Sequence, residues 1–150
     1  MTYEFPITAP TSTPQGVLGG VCILLLVMVA FFAFMAFGMG REKFQISAEG
    51  LKISASFYGR SIPAHDLDVA RAQVVDLNVD PDYRLTRKTN GTGMPGYQTG
   101  WFRTSNGSKA LAFVTDKRHV VCIPTRQDYT VLLSVDNPQE FLHALKSTIR

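Results

Sequence analysis

The chain has 150 residues, of which 15 are basic and 12 acidic, and its net charge is +3. All the basic residues and all the acids except Glu4 follow residue 40, so this larger part carries a small, mixed positive excess. A nucleic-acid-binding protein would concentrate Lys and Arg on one face, so the composition argues against that class. The two cysteines, Cys22 and Cys122, lie in separate apolar runs and predict no disulfide framework.

Residues 17–40 form an apolar segment without a charged side chain. A helix rises about 1.5 Å per residue, so this segment is about 36 Å long and can cross a hydrocarbon layer of about 30 Å. A soluble helix of this length would have a polar face, and none is present. The segment therefore predicts one transmembrane helix. The alternative is a cleaved secretory signal, which needs a positively charged start and an apolar core of about 7–15 residues. Here no Lys or Arg precedes the segment, and the segment is longer than such a core.

The charges on either side of residues 17–40 predict the orientation of the helix. Residues 1–16 are rich in Pro and Thr, contain no Lys or Arg, and are expected to be a disordered tail. Arg41, Lys43, Lys52 and Arg60 follow the helix closely. Positively charged loops stay in the cytoplasm. We therefore expect a single-pass protein of the cell membrane, with its N-terminus outside and residues 43–150 in the cytoplasm.

Residues 43–150 predict a single α+β domain. Alternating apolar and polar residues indicate about seven short antiparallel strands, including one over residues 73–79 with Val79 inward. Asn106-Gly107 between two apolar runs predicts a hairpin. Asn137 and Pro138 then suit a helix start, and Phe141, Leu142, Leu145 and Ile149 share one helical face. Strands followed by one helix favour a barrel or bent sandwich with the helix closing one end.

The stretch RKTNGTGMPGYQTGW, residues 87–101, is the richest in glycine and aromatic residues, and we expect a long loop here. It contains G-x-G-x-x-G, but a dinucleotide site requires a helix after the glycines, whereas Pro95 and an aromatic strand follow. We therefore expect no cofactor. Two interpretations remain open, a structural crossover between strands and a binding loop. The candidate binding residues are Arg87, Asn90, Gly91, Gly93, Pro95, Gly96, Tyr97, Gly100 and Trp101.

No pattern in the chain indicates catalysis. His65, His119 and His143 are widely separated and have no metal-ligand spacing. Cys122 lacks a nucleophile signature and the carboxylates are scattered. We therefore expect no catalytic residue and no metal site, and the protein is not expected to be an enzyme.

Five blocks of the chain resemble one family. They are Arg87–Phe102, Asn106-Gly107, Val114-Thr115, Val121–Thr125 and Ser134–Leu142. Over roughly residues 43–150 they resemble the bacterial pleckstrin-homology (PH) domains of small membrane proteins. The resemblance implies a bent antiparallel barrel of seven strands, capped by the C-terminal helix. Phosphoinositide-binding members of the wider fold have a basic first hairpin, whereas here residues 47–51 are short and acidic at the tip, so headgroup recognition of that kind is not implied.

Together these observations predict a membrane-anchored, non-enzymatic adaptor that presents a protein-interaction surface at the cytosolic face. The expected partners are the lipid bilayer and a protein or membrane complex, with no nucleic acid, and a homo-oligomer is possible. The alternative is a sensor that binds a small ligand or an anionic lipid headgroup at residues 90–101.

Overall fold

The structure, a computed structural model, describes residues 4, 13–38, 42–55 and 57–149. The chain divides into two units, residues 1–39 and 40–150. In the first unit, helix α1 spans Thr13–Gly38. Residues 16–37 are all exposed, and Gly16–Phe37 is long and apolar enough to cross a membrane. The helix begins at Thr13, four residues before the predicted start at residue 17. Residues 39–40 and Arg41 lie outside the described residues.

The second unit contains two β-sheets and a C-terminal helix. The first sheet has the order β1-β2-β3 and the second the order β4-β8-β9-β7-β6-β5. Single turns of 3-10 helix lie between some of the strands, at Ala64–Asp66, Val69–Arg71 and Pro81–Tyr83. The elements are β1 Lys43–Ser47, β2 Gly50–Ser54, β3 Arg60–Pro63, β4 Gln73–Val75, β5 Leu85–Met94, β6 Tyr97–Thr104, β7 Lys109–Val114, β8 Val120–Pro124, β9 Tyr129–Ser134 and α2 Pro138–Thr148.

The α+β class is confirmed, but the predicted antiparallel barrel is wrong. The described residues form nine strands in two sheets, which do not close into a barrel. Moreover, β7 and β9 pair in parallel, because β9 inserts between β7 and β8. The connection from β7 to β8 passes the end of β9, where Ser134 Oγ accepts hydrogen bonds from the backbone N–H groups of Thr115 and Asp116.

The central strands of the six-stranded sheet, β7, β8 and β9, are covered on both faces. One face, which includes Leu111 and Val131, belongs to a core cluster with residues of the first sheet and of α2. The other face includes Cys122 and Leu132. The edge strands β4 and β5 are consecutive in the chain, so residues 76–84 cross this second face, and Leu77 is buried there. Burial on both sides explains why β7, β8 and β9 are nearly continuous apolar runs.

Helix α2 follows its sequence prediction. The Asn137 side chain accepts a hydrogen bond from the backbone N–H of Glu140, and Pro138 occupies the first turn. Leu145 is fully buried, and Phe141 and Leu142 pack against the same core cluster. The cap and the apolar face together fix the helix on the domain.

The predicted strand over residues 73–79 is too long. It ends at Val75, because the Asp76 carboxylate accepts hydrogen bonds from the backbone and side chain of Asn78 and closes a turn. Val79, predicted to point inward, is 74% exposed.

Candidate functional site

The glycine- and aromatic-rich stretch is a β-hairpin, so the predicted loop is wrong. Strands β5 and β6 pair in regular register from Gly91 opposite Gly100 to Met94 opposite Tyr97. Pro95 and Gly96 form the turn, where Gly96 has a φ of 77° that favours glycine. Glycines that indicate a loop in the sequence are here residues of paired strands.

The strand glycines allow close packing on the hairpin. Gly100 has a φ of 115°, and a Cβ there would lie 2.6 Å from the carbonyl oxygen of Asn90. The same Cβ would lie 3.1 Å from the Tyr58 ring. The Tyr58 hydroxyl donates a 3.2 Å hydrogen bond to Asn90 Oδ1. Gly100 therefore lets the turn between β2 and β3 rest on the hairpin.

Two β-bulges interrupt the first half of β5. Thr86 and Thr89 have no register partner in β6, but their hydroxyls donate to the carbonyls of Arg103 and Trp101 at 3.1 and 3.0 Å. β5 ends the six-stranded sheet, so its outer edge has no partner strand in the described part of the chain. Bulges are a common protection of such an edge.

Trp101 forms a cation–aromatic cluster with two residues far from it in the chain. Its ring meets the Tyr129 ring edge-on, with centroids 5.2 Å apart. The Arg60 guanidinium carbon lies 5.2 Å from the Trp101 centroid and 5.7 Å from that of Tyr129. Trp101 is half-buried and Tyr129 buried. The sequence analysis missed Arg60 and Tyr129 as site residues, because no local pattern links them to Trp101.

Three cations lie side by side on the same face as Trp101. Arg87 on β5 is directly opposite Arg103 on β6, and Arg103 is directly opposite Lys109 on β7. Side chains two residues apart on a strand share a face, which places Arg103 with Trp101. All three are exposed. Together with Arg60 they form what we call the basic patch (Arg60, Arg87, Arg103 and Lys109).

The predicted candidate residues are divided between different parts of the hairpin. Arg87 is part of the basic patch. The paired strands near this patch and Tyr58 also carry Asn90, Gly91, Gly100 and Trp101. Pro95 and Gly96 lie at the turn, and Tyr97 begins β6.

Gly93 instead faces Phe102, where a Cβ would lie 3.6 Å from the ring. Phe102 belongs to the core cluster that contains Cys122 and Leu132, which we call the second core cluster, so this is the other face of the hairpin. A shallow groove of about 450 Å³ lies here, lined in part by Lys88, Gly93, Gln98 and Phe102. The Gln98 Oε1 atom is buried and accepts no hydrogen bond from the described residues.

The possible chemistry of the domain depends on its potential metal ligands and on the reactivity of Cys122. The described residues contain no group of three His, Cys, Asp or Glu side chains that could hold a metal ion. Cys122 is fully buried, and this burial raises the pKa of its thiol to about 12. The thiol is therefore protonated at neutral pH, whereas the thiolate is the reactive form.

The two sheets and the terminal helix define an α+β domain, and the basic patch is exposed on it. The family model described as "Bacterial PH domain" matches residues 42–149, and the chain belongs to this family. The family resemblance predicted from the sequence is confirmed. Membership supports a domain that interacts with proteins or lipids. The comparison with curated proteins and the comparison with solved structures each gave no match.

Proposed function

We propose that this protein is a membrane-anchored, non-enzymatic adaptor. Helix α1 is the anchor, and the PH-like domain presents a protein-interaction surface in the cytoplasm. The observation that carries the proposal is the combination of a fully exposed apolar helix, Gly16–Phe37, with a domain of the bacterial PH family in one chain. An apolar helix of this length is stable when lipid covers it.

The orientation rests on the distribution of charge. No Lys or Arg precedes α1, while Arg41, Lys43, Lys52 and Arg60 follow it. Positive residues near the end of a transmembrane helix favour the cytoplasmic side. The domain then lies beside the inner leaflet, where the basic patch is available to a cytosolic or membrane-bound partner.

The proposed interaction surface is the basic-patch face of the hairpin. The cations are exposed and the surface is part of a sheet rather than a deep cavity. Arg side chains are favoured at the centres of protein interfaces. Arg60, which lies over the rings of Trp101 and Tyr129, supplies one of them, and Arg87 and Arg103 supply two more.

Two measurements test the adaptor. A reporter that is active only in the cytoplasm should work when fused after Arg150, and one active only outside should work ahead of Met1. The opposite pattern would refute the orientation.

A photocrosslinking amino acid at position 87 should join the protein to a discrete partner in native membranes, whereas the same group at position 52, on an exposed residue of β2, should not. Equal crosslinking at both positions would refute the proposed surface.

A sensor is the second candidate, and the groove on the other face of the hairpin favours it. Gln98 Oε1 is a buried acceptor that has no partner in the described part of the chain, and Lys88 and Lys117 lie on the groove wall. A ligand with a hydrogen-bond donor and an anionic group would satisfy both features. Screening small anions by thermal shift, with Gln98→Leu as the variant, tests this. A ligand that stabilises wild type and Gln98→Leu equally would exclude the groove.

A further inference from the structure

We propose that the basic patch binds an acidic protein segment, so that the partner of this domain is recognised by a run of Asp or Glu side chains. This deepens the proposed function, on which it rests, by naming the chemistry of the partner. The inference starts from the register of three strands and from the charges that this register brings together.

The strand register makes a row of like charges. Arg87, Arg103 and Lys109 occupy directly paired positions on β5, β6 and β7. Adjacent strands are about 4.8 Å apart, so the row is about 10 Å long. Lys109 is paired in turn with Tyr129 on β9, whose ring lies below Arg60. Four cations thus share one small area of the domain.

No carboxylate of the described residues neutralises this row. The ion pairs among the described residues involve Asp66, Asp68 and Asp116. None of these ion pairs includes a cation of the basic patch. Arg103 donates only to the carbonyl of Gly107, at 2.6 Å. Like charges directly opposite on neighbouring strands are destabilising. An acidic ligand would remove this repulsion, and it would be held most strongly by paired bonds from Arg to carboxylate.

The shape of the patch favours an extended chain over a small ligand. The cavity of about 900 Å³ in this domain is lined elsewhere, by residues such as His65, Asp68 and Lys146. The patch lies on a sheet face, and its row of charges runs across the strands to the free edge of β5. A flat row of three cations about 10 Å long has room for two alternating acids of an extended segment, which are about 6.8 Å apart.

The aromatic residues argue against stacked nucleic-acid bases and against an inserted lipid surface as the occupant. Single-stranded nucleic acids stack their bases on exposed aromatic rings. Here Arg60 lies over both Trp101 and Tyr129, and both rings are partly or fully buried. The same burial leaves these rings unavailable for insertion into a bilayer. A peptide needs neither, because its carboxylates bind the cations directly.

The binding test uses the full chain in a neutral detergent and a fluorescein-labelled peptide of alternating Glu and Ser. The control peptide has Gln in place of each Glu. We expect the Glu peptide to bind at least about tenfold more tightly than the Gln peptide at low salt, with weaker binding at high salt. Equal binding of the two peptides would overturn the proposal.

The variants separate the patch from net charge. Arg87→Gln/Lys109→Gln removes two cations that make no hydrogen bond or ion pair with the described residues, so folding is expected to be retained. The matched control, Lys52→Gln/Lys146→Gln, removes the same charge outside the patch. We expect about a tenfold or greater loss of Glu-peptide affinity in the first and less than about threefold in the second. Equal losses would overturn the proposal.

A measurement with lipid tests the remaining alternative, in which the basic patch binds anionic lipid. The full chain is placed in nanodiscs of phosphatidylcholine, with or without phosphatidylglycerol, and the emission of Trp101, the single tryptophan, is recorded. Equal emission in both discs supports a protein ligand. A shift with phosphatidylglycerol that Arg87→Gln/Lys109→Gln abolishes would assign the patch to anionic lipid instead. If the Glu peptide fails to bind while position 87 still crosslinks to a protein, the adaptor stands and only the acidic segment is refuted.

Discussion

The hydroxyl of Tyr97 donates a 2.6 Å hydrogen bond to the carboxylate of Glu42, although the two residues are 55 positions apart. Both side chains are half-buried. Tyr97 is the first residue of β6, after the hairpin turn, and Glu42 immediately precedes β1. The bond therefore joins the six-stranded sheet to the beginning of the three-stranded sheet.

This contact predicts a structural role for Tyr97. Tyr97→Phe keeps the ring but leaves the partly buried Glu42 without this donor. Hydrogen bonds to charged groups contribute about 1.5–3 kcal/mol, so we expect the free energy of unfolding to fall by about 1–2 kcal/mol. Chemical denaturation of the full chain in detergent, followed by Trp101 fluorescence, measures this. Tyr58→Phe, which removes the exposed bond to Asn90, is the control and should cost less. Equal stabilities of wild type and Tyr97→Phe would contradict the role.

The glycines of the hairpin provide a second prediction. Gly100→Ala places a methyl group against the Asn90 carbonyl and combines a positive φ with a backbone clash. Gly96→Ala has the positive φ but no atom within 4 Å of the new Cβ. We expect a loss of about 1 kcal/mol for Gly96→Ala and of several kcal/mol for Gly100→Ala. Melting temperatures of the two variants compare them directly. A similar loss in both would mean that β5 shifts freely away from β6.

These glycines also show why the sequence was misleading here. Gly91, Gly93 and Gly100 indicate a loop by local propensity, yet all three lie in paired strands. At Gly91 and Gly100 the neighbouring backbone leaves no room for a Cβ. By contrast, α2 depends on local features, a cap at Asn137 and an apolar face, and its prediction is confirmed.

The basic patch could not be predicted for a different reason. Arg87, Arg103 and Lys109 meet only through the pairing of three strands, and bulges at Thr86 and Thr89 shift the register of β5. If the bulges are ignored, counting back from the hairpin turn places a residue other than Arg87 opposite Arg103. The parallel pairing of β7 with β9 is equally invisible in the alternation of apolar residues.

Cys122 is expected to be unreactive in the folded domain. Its side chain is fully buried, and burial raises the pKa of the thiol to about 12. In a Cys22→Ala variant, a thiol reagent at pH 8 should label Cys122 only after denaturant is added. The rate of labelling then reports opening of the second core cluster. Rapid labelling without denaturant would show that residues 76–84 do not seal this face of the sheet.

Asp116 is expected to stabilise the domain at neutral pH and to lose this effect in acid. The backbone N–H of Arg118 donates to its carboxylate at 2.9 Å, and this bond, together with the nearby His119 and Arg118 side chains, lowers the pKa of Asp116 below 3.8. A lowered pKa in the folded state gives stability that is present above pH 3.8 and is lost as the pH falls through the folded value. Melting temperatures of wild type and Asp116→Asn should differ near neutral pH and converge in acid. A constant difference would contradict this account.

The row of like charges predicts that a surface variant increases stability. Arg87→Gln removes one of two directly opposed cation pairs, and the side chain makes no other bond with the described residues. Opposed charges cost about 0.2–1 kcal/mol, so we expect the free energy of unfolding to rise by a few tenths of a kcal/mol at low salt. The gain should shrink at high salt, where the repulsion is screened. Lys52→Gln is the control, because Lys52 pairs with Gln45 and Ser61 and has no cation opposite.

If Arg87→Gln instead destabilises the domain at every salt concentration, Arg87 is held by a stabilising contact and the row of cations does not destabilise the fold. A gain in stability together with a loss of Glu-peptide binding would show that these cations are retained at a cost to the fold.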